Sequence, residues 1–229
     1  DFPRPRSWVR TLTPPMVEEL SAGAAQALRA GTDFDKIARE DHPLPACQRL
    51  LDGVYADLET GPGFAVIEGF PVATLHDDTR LIAYAIICAH IGVLVDQSYA
   101  GDMKIDVRDT GGTYSKDTRG YLTNAALRFH SDGAAFTGLC CLSTAAVGGA
   151  SVLASAGAVS NAILERRPNL HEVLVDGFHH HRRGQHATGE NPISEMPIAV
   201  FGFSDGLLQC TYDRNQSLWA MDEGVVFTA

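Results

Sequence analysis

The sequence predicts an α+β, mainly β fold with its helices gathered toward the N-terminus. Two observations carry this. Helical periodicity fills most of the first ninety residues, and after Gly92 the texture changes to short strands divided by long loops, with a single helical island. Strands so spaced, with helices mostly at one end, favour a sandwich or jelly-roll over a doubly wound sheet.

The elements follow in order. Thr13-Pro14-Pro15 ahead of Val17, Leu20, Ala24, Ala27 and Leu28 reads as an N-cap and N1-type proline opening a helix over about 14–29. Cys47, Leu50, Leu51, Val54, Tyr55 and Leu58 recur at three- and four-residue intervals until Gly61-Pro62-Gly63, so a helix is expected between Leu44 and Glu59. Phe64–Ile67 makes a short buried strand. A third helix, capped by Asp77 or Asp78, runs through Leu81, Ile82, Ala85, Ile86 and Ala89 to Gly92. Beyond it the expected strands are Lys104–Val107, Leu139–Ser143, Ser151–Ala154 and Phe178–Arg182. A hairpin of Ile198–Phe203 with Leu207–Tyr212 turns at Ser204-Asp205-Gly206. The island is Ala158–Arg167, after which Pro168 begins another helical turn.

Composition narrows the function. The chain has 229 residues, 45% apolar and 20% charged, which excludes disorder as a description of the whole. Its net charge of −10 speaks against a nucleic-acid partner, since phosphate binding needs a basic face. No apolar run reaches the roughly 18 residues needed to span a bilayer and the N-terminus has no apolar signal core, so a soluble, cytoplasmic protein is expected, with no membrane partner. The five cysteines are scattered without a Cys-x-x-Cys pair and read as buried thiols of a reducing compartment. The apolar N-terminal helices offer an interface for a homo-oligomer.

Catalytic inference starts at His130-Ser131-Asp132. A histidine and a carboxylate two apart on an extended segment project to one side and can share a metal. The spacing alone is cheap, because 9 His and 18 Asp supply roughly 0.7 such pairs by chance. His76-Asp77-Asp78 is a second instance, better read as a helix start. His130 differs in context, lying between a long polar loop (Asp109–Phe129) and an apolar strand, where a rigid element can hold a site. The charged residues of that loop read individually as solvated surface groups. In His179-His180-His181 a strand would turn at most two rings to one side, and a half-exposed strand end is the simpler reading. No Gly-x-Gly-x-x-Gly, Walker or Gly-x-Ser-x-Gly pattern is present.

Together, Asp106-Val107-Arg108-Asp109-Thr110-Gly111, Gly120-Tyr121-Leu122-Thr123-Asn124, Phe129-His130-Ser131-Asp132-Gly133, Gly148-Gly149-Ala150-Ser151, Arg167-Pro168-Asn169-Leu170 and Phe178 through Arg182-Arg183-Gly184 resemble the taurine dioxygenase-like (TauD/TfdA) family of Fe(II)/2-oxoglutarate-dependent oxygenases. The resemblance spans about residues 7–218. It implies one oxygenase-like domain over 1–229, a distorted jelly-roll (double-stranded β-helix) with N-terminal and inserted helices. It also implies Fe(II), with 2-oxoglutarate as cosubstrate and O2, acting on a small-molecule substrate. His130 and Asp132 match two iron ligands, Ser151 stands where the family has a threonine that helps hold 2-oxoglutarate, and Asn124 falls at a pocket amide.

The family sets a further iron-binding histidine and a 2-oxoglutarate-gripping arginine in a last strand pair, which the 229 residues do not include. The domain is therefore expected to lack its C-terminal strands here. A catalytically inactive binding module is the alternative expectation, and a metal-dependent hydrolase built on His130, Asp132 and the 179–181 cluster is a third.

Overall fold

A computed structural model describes residues 7–226. Their contacts divide the chain into two compact units.

The first unit comprises the residues up to Val95 together with Phe136–Ala150. It holds β1 (Val9–Thr11), α1 (Pro14–Arg29), α2 (Gln48–Glu59), β2 (Val66–Glu68) and α3 (Asp77–Ile91). α1 and α3 match their expected spans. α2 opens later than expected because Leu44 precedes Pro45, a position biased away from helical backbone. The two residues ahead of α2 are held at a distance, with the Ala46 and Cys47 N–H groups donating to the two carboxylate oxygens of Glu19 at 2.9 and 3.1 Å. Asp77 and Asp78 stand in the first turn of α3, where their charge suits the helix N-terminus, but the N-cap itself is His76.

β2 pairs in parallel with β1, Val9 opposite Val66 and Thr11 opposite Glu68. The expectation of a buried strand over Phe64–Ile67 is corrected here: the strand is Val66–Glu68, with Val66 and Glu68 exposed, and Ala65 and Ile67 pack partly buried against the core. The strand β1 is too short to carry a period of its own. Arg10 ties it to α2 through Nε and Nη2, both donating to Asp57 Oδ2 at 3.0 and 2.6 Å. The core comprises Leu20, Ala24 and Ala27 of α1, Leu50, Leu51 and Val54 of α2, and Ile82, Ala83, Ala85, Ile86 and Ile87 of α3. Its small alanines let helix backbones approach closely. Cys47 is buried in it, and burial pushes its thiol up to about 12. The reading of all five thiols as buried holds only for Cys47, since Cys88, Cys140 and Cys210 are half-buried and Cys141 is exposed.

The second unit comprises Asp96–Ala135 and the residues from Ser151 onward. It holds α4 (Ala156–Arg166), α5 (Pro168–Asp176), β3 (Phe201–Ser204), β4 (Leu207–Cys210) and α6 (Arg214–Asp222). Ser155 caps α4 by accepting from the Ala158 N–H at 3.2 Å. α5 ends at Gly177, whose φ of +83° and close approach to the Ile198 carbonyl leave no room for a Cβ. Ser160 on α4 meets His171 Nε2 on α5 at 2.9 Å, and His171 stacks on Phe201 of β3 with centroids 5.7 Å apart. The antiparallel hairpin β3–β4 has Ser204 opposite Leu207, and its two turn residues Asp205 and Gly206 both have positive φ, the conformation that matches the twist of the strands.

The other expected strands differ from observation. Lys104–Val107, Leu139–Ser143 and Ser151–Ala154 form no ladder among the described residues, and Val107 and Val152 remain exposed. A strand is held by cross-strand partners more than by its own propensity, and these segments find none. Phe178 and His181 make single antiparallel bridges to Ile198 and Ile193. The observed architecture is thus helices with two small sheets. No helix among the described residues is long and apolar enough to cross a membrane.

Candidate active site

His130 and Asp132 lie on a non-regular segment of the second unit that follows the long loop. The His130 Nδ1 lies 2.7 Å from the Arg128 carbonyl, an acceptor, so this nitrogen carries the proton and Nε2 presents its lone pair. Nε2 stands 3.8 Å from Asp132 Oδ1, with the side chains 38% and 54% exposed. One imidazole nitrogen and one carboxylate oxygen on the same side of an extended segment suit two positions of a two-histidine, one-carboxylate iron site. Among the described residues no group of three or more metal-binding side chains is assembled. Asn124 and Ser151 are in the same unit and exposed, and neither side chain makes a hydrogen bond among the described residues.

Between the two candidate ligands, Ser131 is pinned twice to Tyr212. Its N–H donates to the Tyr212 carbonyl at 2.8 Å, and its hydroxyl accepts from the Tyr212 N–H at 2.7 Å. The next residue, Asp213, caps α6 by accepting from the N–H groups of Asn215 and Gln216 at 2.9 and 3.3 Å.

The loop from Asp109 to Phe129 is braced against the same helix, chiefly through Tyr114 and backbone carbonyls, while its charged residues Asp109, Lys116, Asp117 and Arg128 stay exposed as expected and Arg119 is half-buried. The Arg183 guanidinium lies over the rings of Trp219 at 4.6 Å and Tyr114 at 5.5 Å, and its Nη2 donates to the carbonyls of Ser115 and Thr118, each at 3.2 Å. Asn215 Nδ2 donates to the Tyr114 hydroxyl at 3.0 Å, and Lys116 pairs with Glu223 at 3.0 Å. Nothing in the local sequence signals Arg183, since its partners lie more than thirty residues away on both sides.

The histidine run is more enclosed than a half-exposed strand end. His179 Nδ1 donates to the Ser194 carbonyl at 2.8 Å, while His180 and His181 are both buried. His181 Nδ1 accepts from the Arg183 N–H at 2.9 Å, which places its proton on Nε2, 3.8 Å from Glu223 Oε1. Burial pushes both imidazoles below their ordinary value of 6.5, against a smaller upward pull from Asp213 on His180 and from Glu223 and Asp117 on His181. Lys116 and His186 push His181 further down. The unfolded chain therefore binds protons that the folded chain refuses, so this stability is present above 6.5 and is lost as pH falls below it. Urea melts between about pH 8 and about pH 5 are expected to show falling stability on the acid side, less steep in His181→Gln. A flat profile in the unsubstituted protein contradicts the burial argument.

Comparison with known proteins gives two findings. The family model described as "Taurine catabolism dioxygenase TauD, TfdA family" matches residues 27–201. FR-33289 synthase of Streptomyces rubellomurinus (strain ATCC 31215) is 31% identical over 207 residues, covering 90% of this chain and 60% of that relative. The chain thus spans about three-fifths of that relative's length.

Proposed function

Since the chain belongs to the TauD/TfdA family of Fe(II)/2-oxoglutarate-type oxygenases, we propose that it is the part of such an enzyme that supplies His130 and Asp132 to the iron, and that the whole protein oxidises a C–H bond of a small organic substrate. The observation that carries this is the His130 Nε2 to Asp132 Oδ1 approach of 3.8 Å, with the ring's other nitrogen tied to the Arg128 carbonyl. That tie sets the orientation of the ring, with Nε2 turned toward Asp132. When bound, iron with 2-oxoglutarate and O2 supplies the oxidising power, releasing succinate and carbon dioxide.

The protein's own work is placement. His130 and Asp132 hold the metal on one side of their segment, leaving the rest of its coordination sphere for other ligands. Ser151 offers a hydroxyl to a carboxylate oxygen of 2-oxoglutarate, and Asn124 offers an amide to the same pocket. A distorted jelly-roll in the complete protein is part of the same proposal, with β3 and β4 among its strands.

The test is calorimetric binding of 2-oxoglutarate to the full-length encoded protein, with Mn(II) in place of oxidisable iron. Metal-dependent binding is expected. Ser151→Ala should weaken it by about 1.5–3 kcal/mol, the worth of a hydrogen bond to a charged group. Equal affinity in the Ser151→Ala variant removes that residue from the pocket, and binding that ignores the metal removes the reading as a whole.

A further inference from the structure

We propose that Ser131 is a positioning residue for the metal, its hydroxyl fixing the register of His130 and Asp132 against α6; this rests on the reading of those two residues as ligands. The 3.8 Å approach of His130 Nε2 to Asp132 Oδ1 puts these two side chains together, and the residue between them is the one fastened to Tyr212. A single hydrogen bond would leave a hinge about its own axis. Two reciprocal bonds, at 2.8 and 2.7 Å, set both the position and the twist of Ser131 relative to Tyr212.

The anchor is itself braced. Tyr212 leads into Asp213, whose carboxylate accepts from two N–H groups of α6 and from Gln216 Nε2 at 3.0 Å. The Gln216 carbonyl accepts from the His181 N–H at 3.0 Å, and Trp219 lies under the Arg183 guanidinium. Three segments remote in sequence converge on this helix, and the one carrying the candidate ligands is joined to its entry by Ser131. Without the hydroxyl the Tyr212 N–H loses its acceptor, and Ser131 keeps a single bond to Tyr212, which no longer fixes its twist. Groups that orient ligands without touching the metal commonly govern affinity by ten- to a hundredfold, and loss at the low end of that range is expected here.

The experiment measures Mn(II) affinity of the full-length protein by calorimetry, beside thermal melts, for Ser131→Ala, Ser131→Thr, Asp213→Ala and His130→Ala. Ser131→Ala should bind about tenfold more weakly, and Ser131→Thr, which keeps the hydroxyl, should return to within about threefold of the parent. A merely structural serine would lower the melting temperature and leave affinity unchanged, and that result overturns the proposal, as does a threonine variant as weak as the alanine one. Should Ser131→Ala not fold, Asp213→Ala decides: it removes the α6 cap without touching the ligand segment, so weakened binding supports the proposal and parental affinity overturns it. His130→Ala separates the two claims, since parental metal affinity in that variant removes the ligand reading itself, whatever Ser131 does.

Discussion

His130→Ala and Asp132→Ala are each expected to bring the iron content of anaerobically loaded full-length protein from near-stoichiometric to background, with the fold retained. Both side chains are partly exposed and separated by 3.8 Å, so as an ion pair they contribute little to stability. Substitutions at such positions usually shift stability by no more than about 0.5 kcal/mol. As ligands, in contrast, each contributes a bond that no neighbour replaces, because no third metal-binding side chain stands with them among the described residues. Metal analysis after gel filtration, beside a circular dichroism melt, checks both halves. Unchanged iron in both variants would sink the assignment; loss of iron accompanied by unfolding would mean that the pair is part of the scaffold.

Ile86→Ala is expected to destabilise the first unit by about 2–5 kcal/mol. Ile86 is 0% exposed, at the centre of the face that α3 turns to α1, and a Cβ at Gly23 would already stand 3.8 Å from its Cδ1. Removing three carbons there forfeits their transfer free energy and leaves a void that close-packed helices fill only in part. Val93→Ala is the control, because Val93 is 93% exposed and should change stability within about 0.5 kcal/mol. Urea unfolding with an unchanged slope but a lower midpoint is the expected form. A loss under about 1 kcal/mol would mean that the site collapses around the smaller side chain or that the core lies elsewhere.

What could be read from the sequence divides along the range of the forces involved. α1, α3 and α4 announce themselves through three- and four-residue spacing, and the β3–β4 hairpin through Asp205-Gly206, because these signals are local. α6 was not legible. Leu218, Trp219, Ala220 and Met221 are consecutive and draw no stripe, and the helix depends on the Asp213 cap and on Trp219 meeting Tyr114 and Arg183. The start of α2 was misplaced because Glu19, twenty-seven residues from Ala46, holds the residues ahead of it.

The His-x-Asp pair was legible as a pattern, since extended geometry puts alternate residues on one side, and its context after a long polar loop separated it from His76-Asp77-Asp78, which reads as a helix start. Its fastening was not. Ser131 and Tyr212 are 81 residues apart, and of the two bonds between them one is wholly backbone and the other joins the Ser131 hydroxyl to a backbone N–H, a partner that no local pattern marks. The expected strands that form no ladder fail for the same reason, a strand being a property of its partners.

The most direct measurement is iron-dependent formation of succinate from 2-oxoglutarate by the full-length protein under air. The unsubstituted, iron-loaded protein should release succinate, and removal of iron by a chelator, or either substitution His130→Ala or Asp132→Ala, should reduce the release to background. No succinate from protein shown to hold iron, or equal succinate from the His130→Ala variant, would contradict the assignment of an oxygenase site to these two residues.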